Sequence, residues 1–270
     1  MFLELLPFAV ALIIVGAISG FLAGLFGIGG GAVLVPFFYQ LLGMLNVDDG
    51  LRMHISVGTS LAIIVPTSLR SYFAHRNRGS VDGELLRSFI VAVPAGVICA
   101  AIVTAYISGA GLRGIFGIIS LSIAIKLLFA RESWKLGKTL PDNPLRSVAG
   151  WIIGFLSTFM GIGGGVFNNT FMTAYGRPIH QSVATSSGVG ILISLPGVLG
   201  YLWAGWGVQG LPEFSLGYIN YLMAALVIPL TLLSAPYGVN VAHSLSKRRL
   251  ELIFGLFLLV VSLRFIFSLM

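Results

Sequence analysis

GAISGFLAGLFGIGGGAVLVP, at residues 16–36, is followed later in the chain by GWIIGFLSTFMGIGGGVFNNT, at residues 150–170. Aligned at an offset of 134, the two stretches agree at 10 of 21 positions, which include the entire GIGGG run in each. Glycine destabilises a helix by about 1 kcal/mol per residue relative to alanine, so four glycines within five residues should interrupt one. A helix break that occurs twice in apolar sequence predicts a duplicated fold built around broken helices.

The composition of the chain is that of a protein surrounded by lipid. Of its 270 residues, 57% are hydrophobic and only 9% are charged, with a mean hydropathy of +0.98. Soluble domains carry about 25% charged residues. The N-terminal apolar run has no basic segment before it and no small-residue cleavage site after it, so we expect a first membrane helix rather than a signal peptide. These features predict a polytopic membrane protein.

The net charge of +7 does not indicate a nucleic-acid partner. No interleaving of aromatic and basic residues occurs, and in a membrane protein an excess of basic residues usually marks the cytoplasmic loops. The chain has one cysteine, Cys99, and therefore no intrachain disulfide.

Polar segments divide the chain into eight apolar regions. Six have the length of a single spanning helix, which needs about 20 residues, but the two that carry GIGGG do not. Region 147–176 would measure about 45 Å as one helix, against a hydrocarbon core of about 30 Å, yet it is too short for two spans. We therefore expect a hairpin of two short helices at each break, buried in protein or lining a cavity. The eight regions are 5–43, 54–73, 85–107, 112–130, 147–176, 182–203, 217–243 and 250–269.

The distribution of basic residues favours these hairpins. If both GIGGG regions return to the side they came from, 13 basic residues collect on one side, against Arg52, Arg113 and Arg264 on the other. A continuous span at each break gives 10 to 6 instead. By the positive-inside rule we expect the hairpins, with both termini extracytoplasmic.

Each half then contains five segments, which are two hairpin legs and three spanning helices. An odd number places the second copy in inverted orientation, an architecture widespread among secondary transporters. The expected fold is an all-α polytopic membrane protein with two inverted-topology repeats, each a Gly-broken hairpin of short helices plus three transmembrane helices. The N-terminal repeat is 1–130, a cytoplasmic linker is 131–146, and the C-terminal repeat is 147–270.

A second shared motif follows each break, HISVGTS at residues 54–60 and HQSVATS at residues 180–186. Its buried hydroxyls, at Thr59, Ser60, Thr185 and Ser186, either contact a substrate or bond between helices. Their recurrence beside both breaks favours the first alternative, and the second stays open.

Histidine and arginine residues mark the start of this motif in each half. His54 and His180 serve either as interfacial caps or as a pH-sensitive gate or anion contact. Arg52 and Arg177 lie close by and either draw anions into opposite vestibules or only fix the topology.

The glycine runs themselves predict the charge of a ligand. An unwound run exposes backbone N–H groups, and the helix that follows directs its positive end at them, which favours anions. Asn168 and Asn169 add amide donors after the second break, where the first copy has Leu34 and Val35. We expect one or two anion sites near the membrane midplane. The alternative is that the glycines only allow tight packing at a bend.

The acidic residues argue against other kinds of chemistry. All nine fall in loops or at helix ends, so we expect no intramembrane carboxylate to bind Na⁺ or relay protons. No zinc pattern, nucleophile elbow or phosphate-binding lysine occurs, and GIGGG lacks the strand context of a dinucleotide motif. The expectation is a protein that is not an enzyme and has no cofactor or metal.

The paired G-x-G-G-G segments, each followed by VGTS at residues 57–60 or VATS at residues 183–186, resemble the sulfite exporter TauE/SafE family over nearly the whole chain. This resemblance implies a permease of the bacterial or archaeal plasma (inner) membrane for sulfite, sulfonates or sulfoacetate. The leading hypothesis is a secondary transporter that exports such an anion by alternating access around a midplane site. Transport of another small organic or inorganic anion, uptake, and a non-transporting scaffold or sensor are the alternatives.

The expected partners are the small anion and the lipid bilayer, and a homodimer is left open. Arg52, His54, Arg177 and His180 are the candidates for gating or anion attraction. The residues expected to bind substrate are Gly27, Gly29, Gly30, Gly31, Thr59, Ser60, Gly161, Gly163, Gly164, Gly165, Asn168, Asn169, Thr185 and Ser186.

Overall fold

The computed structural model describes residues 2–26, 30–129, 136–137, 139–244 and 247–269. Helices dominate this described part, with one short β-hairpin, β1 (Ser215–Leu216) and β2 (Ile219–Asn220). The helices are α1 (Phe2–Phe26), α2 (Gly31–Met44), α3 (Asp49–Asn77), α4 (Gly83–Tyr106), α5 (Gly109–Phe129), α6 (Leu145–Met160), α7 (Gly165–Ala174), α8 (Ile179–Ala204), α9 (Tyr221–Ser244) and α10 (Lys247–Phe267).

The second GIGGG run separates two short helices. α6 has 16 residues and α7 has 10, which correspond to about 24 Å and 15 Å, so neither crosses a bilayer alone. α6 packs in parallel along α4, since Gly150 lies against Phe89 and Gly154 lies against Val93 one turn further on. α7 then returns, because the N–H of Leu136, before α6, donates to Ala174 O at its end (2.9 Å).

The first GIGGG run also separates two helices, but they differ in length from the expected pair. α1 has 25 residues, about 38 Å, and is therefore not the short helix that was expected, since nothing before the glycine run interrupts it. It packs in parallel along α9, with Gly16 against Leu230 and Gly20 against Thr231. α2 has 14 residues.

Two antiparallel helix pairs join the halves of the chain. α3 packs along α8, with Gly58 against Tyr201 at one end and Gly188 against Tyr72 towards the other. α5 packs along α10, where Gly117 contacts Ile266. Small residues at these positions allow the helix backbones to approach closely.

The apolar region that begins at residue 217 does not start as a helix, contrary to expectation. Gly217 has φ 54°, and the antiparallel strands β1 and β2 pair around it, so that α9 begins only at Tyr221. Asn220 defines that start, since its side-chain Oδ1 accepts a hydrogen bond from Met223 N (2.9 Å).

Four of the described helices are long and apolar enough to cross a membrane by length and composition: α4, α5, α8 and α9 as far as Gly238. Large apolar side chains cover outward faces, as Val91 on α4, Leu199 on α8 and Val260 on α10 illustrate. Water would not solvate such a surface favourably, whereas lipid does. The fold is that of an all-α polytopic membrane protein.

Candidate functional site

The two helix breaks meet in the middle of the protein. A Cβ on Gly31, the first residue of α2, would overlap the carbonyl oxygen of Gly161, which ends α6. Both glycines are buried. We call Gly30, Gly31 and residues 161–165 the glycine junction. Its parts lie far apart in the sequence but form one site, in which only glycine leaves room for the approach of the two backbones.

Matched glycines in the two breaks hold the same unusual backbone. Gly30 has φ 75° and Gly164 has φ 72°, and each is the residue that precedes a helix, α2 or α7. Residues with a side chain rarely adopt this left-handed region and lose about 1–2 kcal/mol when forced into it. The geometry explains why glycine occupies these positions, whatever the ligand.

Both helix starts lack a side-chain cap. Gly30 and Gly164 have no side chain to accept from the first N–H groups of α2 and α7. The first N–H groups of any helix have no partner within that helix, and its N-terminus carries a partial positive charge. The glycine junction therefore places the N–H groups at the start of α2 beside the carbonyl end of α6, and it also contains the uncapped start of α7.

The remaining glycines expected to bind substrate fall in two groups. Gly163 lies against Ile64 and Gly190, and Gly165 is the buried first residue of α7. Gly27 and Gly29 lie outside the residues that the structure describes.

Ser60 contributes its hydroxyl to the junction from α3. Its Oγ donates to the carbonyl oxygen of Gly161 at 2.7 Å, and both residues are buried. This bond satisfies one of the carbonyl groups that the end of α6 leaves without a helical partner. Ser60 thus joins α3 to the break of the other half.

A chain of three polar side chains lies beside the second break. Asn168 Nδ2 donates to Ser186 Oγ (2.8 Å), which donates in turn to Asn169 Oδ1 (2.8 Å). Asn168 is fully buried in the first turns of α7, and Ser186 is buried on α8. The structure brings Ser186 to the adjacent Asn168 and Asn169, which lie 18 and 17 positions before it in the sequence.

Thr59 and Thr185 accept hydrogen bonds from backbone groups of the opposite half. Asn220 N donates to Thr59 Oγ1 (3.0 Å), and Asp82 N donates to Thr185 Oγ1 (2.9 Å). The two donors occupy equivalent positions in the two halves. Asp82 immediately precedes α4 and its side chain accepts from Leu85 N, while Asn220 immediately precedes α9 and its side chain accepts from Met223 N. We call these the two threonine contacts.

The threonine contacts lie towards opposite ends of the α3–α8 pair. Thr59 is the eleventh of the 29 residues of α3. Thr185 lies nearly one turn before Gly188 on the antiparallel α8, and Gly188 packs against Tyr72, so the two threonines are about 20 to 25 Å apart along α3. Each contact joins an α3 or α8 hydroxyl to a loop of the other half.

The expected gating residues of the first half are held within the protein. Arg52 donates from Nε to Val47 O (2.7 Å), and its Nη1 lies 3.4 Å from Asp49 Oδ1. His54 is buried and stacks on Tyr218 with ring centroids 4.6 Å apart. Its two ring nitrogens lie 3.3 Å from Gly50 O and from Thr104 O.

The corresponding residues of the second half are more accessible. Arg177 pairs with Asp82 at 3.9 Å between Nη2 and Oδ2, beside the second threonine contact. His180 is exposed in the first turn of α8.

A polar cluster that sequence reasoning missed surrounds Asp49. Arg113, which is 7% exposed, reaches both carboxylate oxygens of Asp49 at 3.2 and 3.1 Å and donates to the hydroxyl of Tyr39. Tyr39 OH donates to the same carboxylate at 2.6 Å. Arg113 could be assigned from the sequence to this side of the membrane, but its partner 64 positions earlier could not.

No cluster of three or more His, Cys, Asp or Glu side chains that could hold a metal ion occurs within the described ranges. The glycine junction supplies backbone N–H groups, and the hydroxyls and side-chain amides beside it come from α3, α7 and α8. Fold and site together are those of a polytopic membrane protein with buried polar groups at its helix breaks.

Comparisons with known proteins identify the family. The family model described as "Sulfite exporter TauE/SafE" matches residues 12–265. A probable membrane transporter protein of Haemophilus influenzae is 35% identical over 95% of this chain and 97% of its own length. A similarly named protein of Methanocaldococcus jannaschii is 29% identical over 96% and 97%. The chain belongs to the sulfite exporter TauE/SafE family of membrane transporters. No solved structure gives a significant match.

Proposed function

We propose that this transporter is a secondary carrier that exports a small sulfur-containing anion, of sulfite, sulfonate or sulfoacetate type, by alternating access around the glycine junction. The carrying observation is that each of two helix breaks, which contact each other at Gly31 and Gly161, contains a buried helix N-terminus without a side-chain cap. A small oxyanion supplies acceptor oxygens for their N–H groups and a charge that suits the helix ends. The sulfur chemistry rests on the family description, since the printed names of the relatives specify no substrate.

The proposal includes two inverted repeats, 1–130 and 147–270. Helix pairing supports this division, because α1 packs along α9 just as α4 packs along α6, in parallel both times. If each helix is replaced by its counterpart in the other half, the α1–α9 pair becomes the α6–α4 pair. The α3–α8 and α5–α10 pairs are unchanged by the same replacement. Inverted repeats characterise many secondary transporters.

We place the protein in the prokaryotic plasma membrane with both termini extracytoplasmic. Arg52 and Arg113 share Asp49 at one end of the molecule, and Arg264 donates to Gln40, near the end of α2, at 2.7 Å. These are the three basic residues assigned to the extracytoplasmic side. Their clustering agrees with the sorting of charges on which the orientation rests.

The threonine contacts supply the two gates that alternating access requires. Both are formed at once in this structure, at levels about 20 to 25 Å apart along the α3–α8 pair. Opening the Thr59 contact would expose the junction to one side, and opening the Thr185 contact would expose it to the other. A transporter of this kind opens one gate at a time.

Flux into proteoliposomes tests the proposal directly. Purified protein should accelerate entry of sulfite, methanesulfonate or sulfoacetate over protein-free liposomes of the same lipid. Chloride and acetate serve as competitors of different chemistry. Protein that is inserted and folded but neither binds nor moves any of the sulfur oxyanions would refute the assignment of substrate.

A further inference from the structure

Asn168 carries a buried carbonyl oxygen without a partner. Its Nδ2 donates to Ser186 Oγ (2.8 Å) and to Met172 Sδ (3.4 Å). Its Oδ1 is buried and has no hydrogen-bond partner among the described residues. A buried acceptor left without a donor is costly, so native proteins seldom retain one that has no role.

The hydrogen-bond network decides which amide atom is which. Ser186 has a single hydroxyl hydrogen and donates it to Asn169 Oδ1, so with Asn169 in this orientation the atom of Asn168 that faces Ser186 is the donor. The second contact agrees, since the sulfur of Met172 accepts an N–H but would repel a carbonyl oxygen. The free atom of Asn168 is therefore its acceptor.

The location of this acceptor follows from the position of Asn168 on α7. Met172 lies one turn from Asn168 towards the end of α7, and the amide nitrogen reaches towards it. Asn168 is the fourth residue of α7, and its backbone N–H donates to Gly164 O (2.9 Å). The unpartnered oxygen therefore lies within about one turn of the uncapped N-terminus of α7.

We propose that Asn168 Oδ1 selects the transported anion by accepting a hydrogen bond from it. The N–H groups at the start of α7 hold the charged oxygens, and Asn168 requires an O–H or N–H on the same ligand. The favoured class is a monoanion that carries its own donor, such as hydrogensulfite or an aminosulfonate, over one without a donor. This inference rests on the proposed function, because it assigns a ligand to the same junction.

Two probes of matched shape test the selection. Sulfamate and methanesulfonate are both monoanions of similar size. Sulfamate carries an amino group, which is a hydrogen-bond donor, where methanesulfonate carries a methyl group. In proteoliposomes, wild-type protein should favour sulfamate by about tenfold or more in flux at limiting concentration, since a site that hydrogen-bonds a substrate group rejects the analogue without it. The comparison needs no variant, so it stands even if substitutions impair folding.

Variants then assign the preference to Asn168. Asn168→Leu removes the acceptor at similar volume and should bring the sulfamate to methanesulfonate ratio close to one. Thr173→Val on the same helix is the control, because Thr173 Oγ1 donates only to carbonyls of α7 itself, and it should keep the wild-type ratio.

The outcomes separate this inference from the proposed function. Equal flux of the two probes in wild-type protein overturns the inference while transport itself stands. A preference for sulfamate that survives in Asn168→Leu also overturns it. If neither probe nor sulfite is moved, the proposed function fails and takes the inference with it.

Discussion

Removal of one threonine contact should raise the population of transporter that is open at that end. The two removals should therefore shift the conformational equilibrium in opposite directions. Thr59→Val keeps the shape of the side chain but leaves the N–H of Asn220 without an acceptor. Thr59 is fully buried and Asn220 is 5% exposed, so water cannot replace the lost bond while the contact is closed. Once this end opens, the N–H is hydrated and the substitution costs nothing. Thr185→Val removes the acceptor of Asp82 N at the other end, where Thr185 is fully buried and Asp82 is partly buried.

The expected magnitude follows from the cost of a buried, unpaired N–H. This cost is about 1–3 kcal/mol, and even 1–2 kcal/mol changes an equilibrium by about 5- to 30-fold. Thr59→Val should therefore raise the population open at its own end by about this factor. The population open at the other end should stay unchanged or fall.

Cysteine labelling measures the two populations separately. Ser56 and Ser182 are equivalent buried residues on α3 and α8, and each donates to the carbonyl four residues earlier, Arg52 O and Pro178 O. In a Cys99→Ser background, Ser56→Cys reports the Thr59 end and Ser182→Cys the Thr185 end. The readout is the rate of reaction with a hydrophilic maleimide in detergent, where both ends are accessible.

The control substitution is Thr67→Val, which removes only bonds from Thr67 Oγ1 to carbonyls of its own helix. It should leave both labelling rates unchanged. A threonine variant that accelerates labelling at both reporters equally would indicate general loosening and refute the gate interpretation. Unchanged rates at both reporters would refute it as well.

Three further substitutions test the junction. Gly164→Ala forces a side chain into the left-handed region at φ 72°, and its control outside the junction, Gly207→Ala, does so at φ 76°. Each variant should lose about 1–2 kcal/mol of stability by thermal unfolding. Only Gly164→Ala should lower flux. Gly31→Ala, whose Cβ would overlap a carbonyl of the opposite break, should abolish flux, whereas Gly83→Ala has open space around it and should keep flux; equal flux in the two would contradict the close approach. Ser60→Ala removes one buried bond and should lower stability by about 1 kcal/mol, measured by thermal unfolding against wild type.

The breaks and most helices could be predicted from the sequence because they depend on local chemistry. Glycine runs interrupt a helix wherever they occur, and the length of apolar segments follows from the thickness of the bilayer. The length of α1 was misjudged, since the sequence shows where a helix must end more clearly than where it starts. The β-hairpin before α9 was missed because two-residue strands leave no periodic pattern.

The contacts that define the site could not be predicted from the sequence. Both threonines were picked out as recurring hydroxyls, but their partners lie 161 and 103 positions away and are backbone groups, for which no residue type is diagnostic. The same holds for Gly31 and Gly161, whose approach depends on how the two hairpins pack. Side-chain identity marked these positions, and only the fold shows what they touch.

The difference between the two halves bears on how many ligands the junction accommodates. Leu34 and Val35, both fully buried, stand on α2 where α7 has Asn168 and Asn169. The start of α2 therefore offers N–H groups and a positive helix end but no side-chain amide, whereas the start of α7 offers both. Two equivalent anions would need two equivalent sets of donors, and they would repel each other in a low-dielectric interior. Under the proposed function, one bound anion therefore fits the junction better than two. Both helix starts would stabilise its charge, and only the side-chain amides of the second half would distinguish it from other anions.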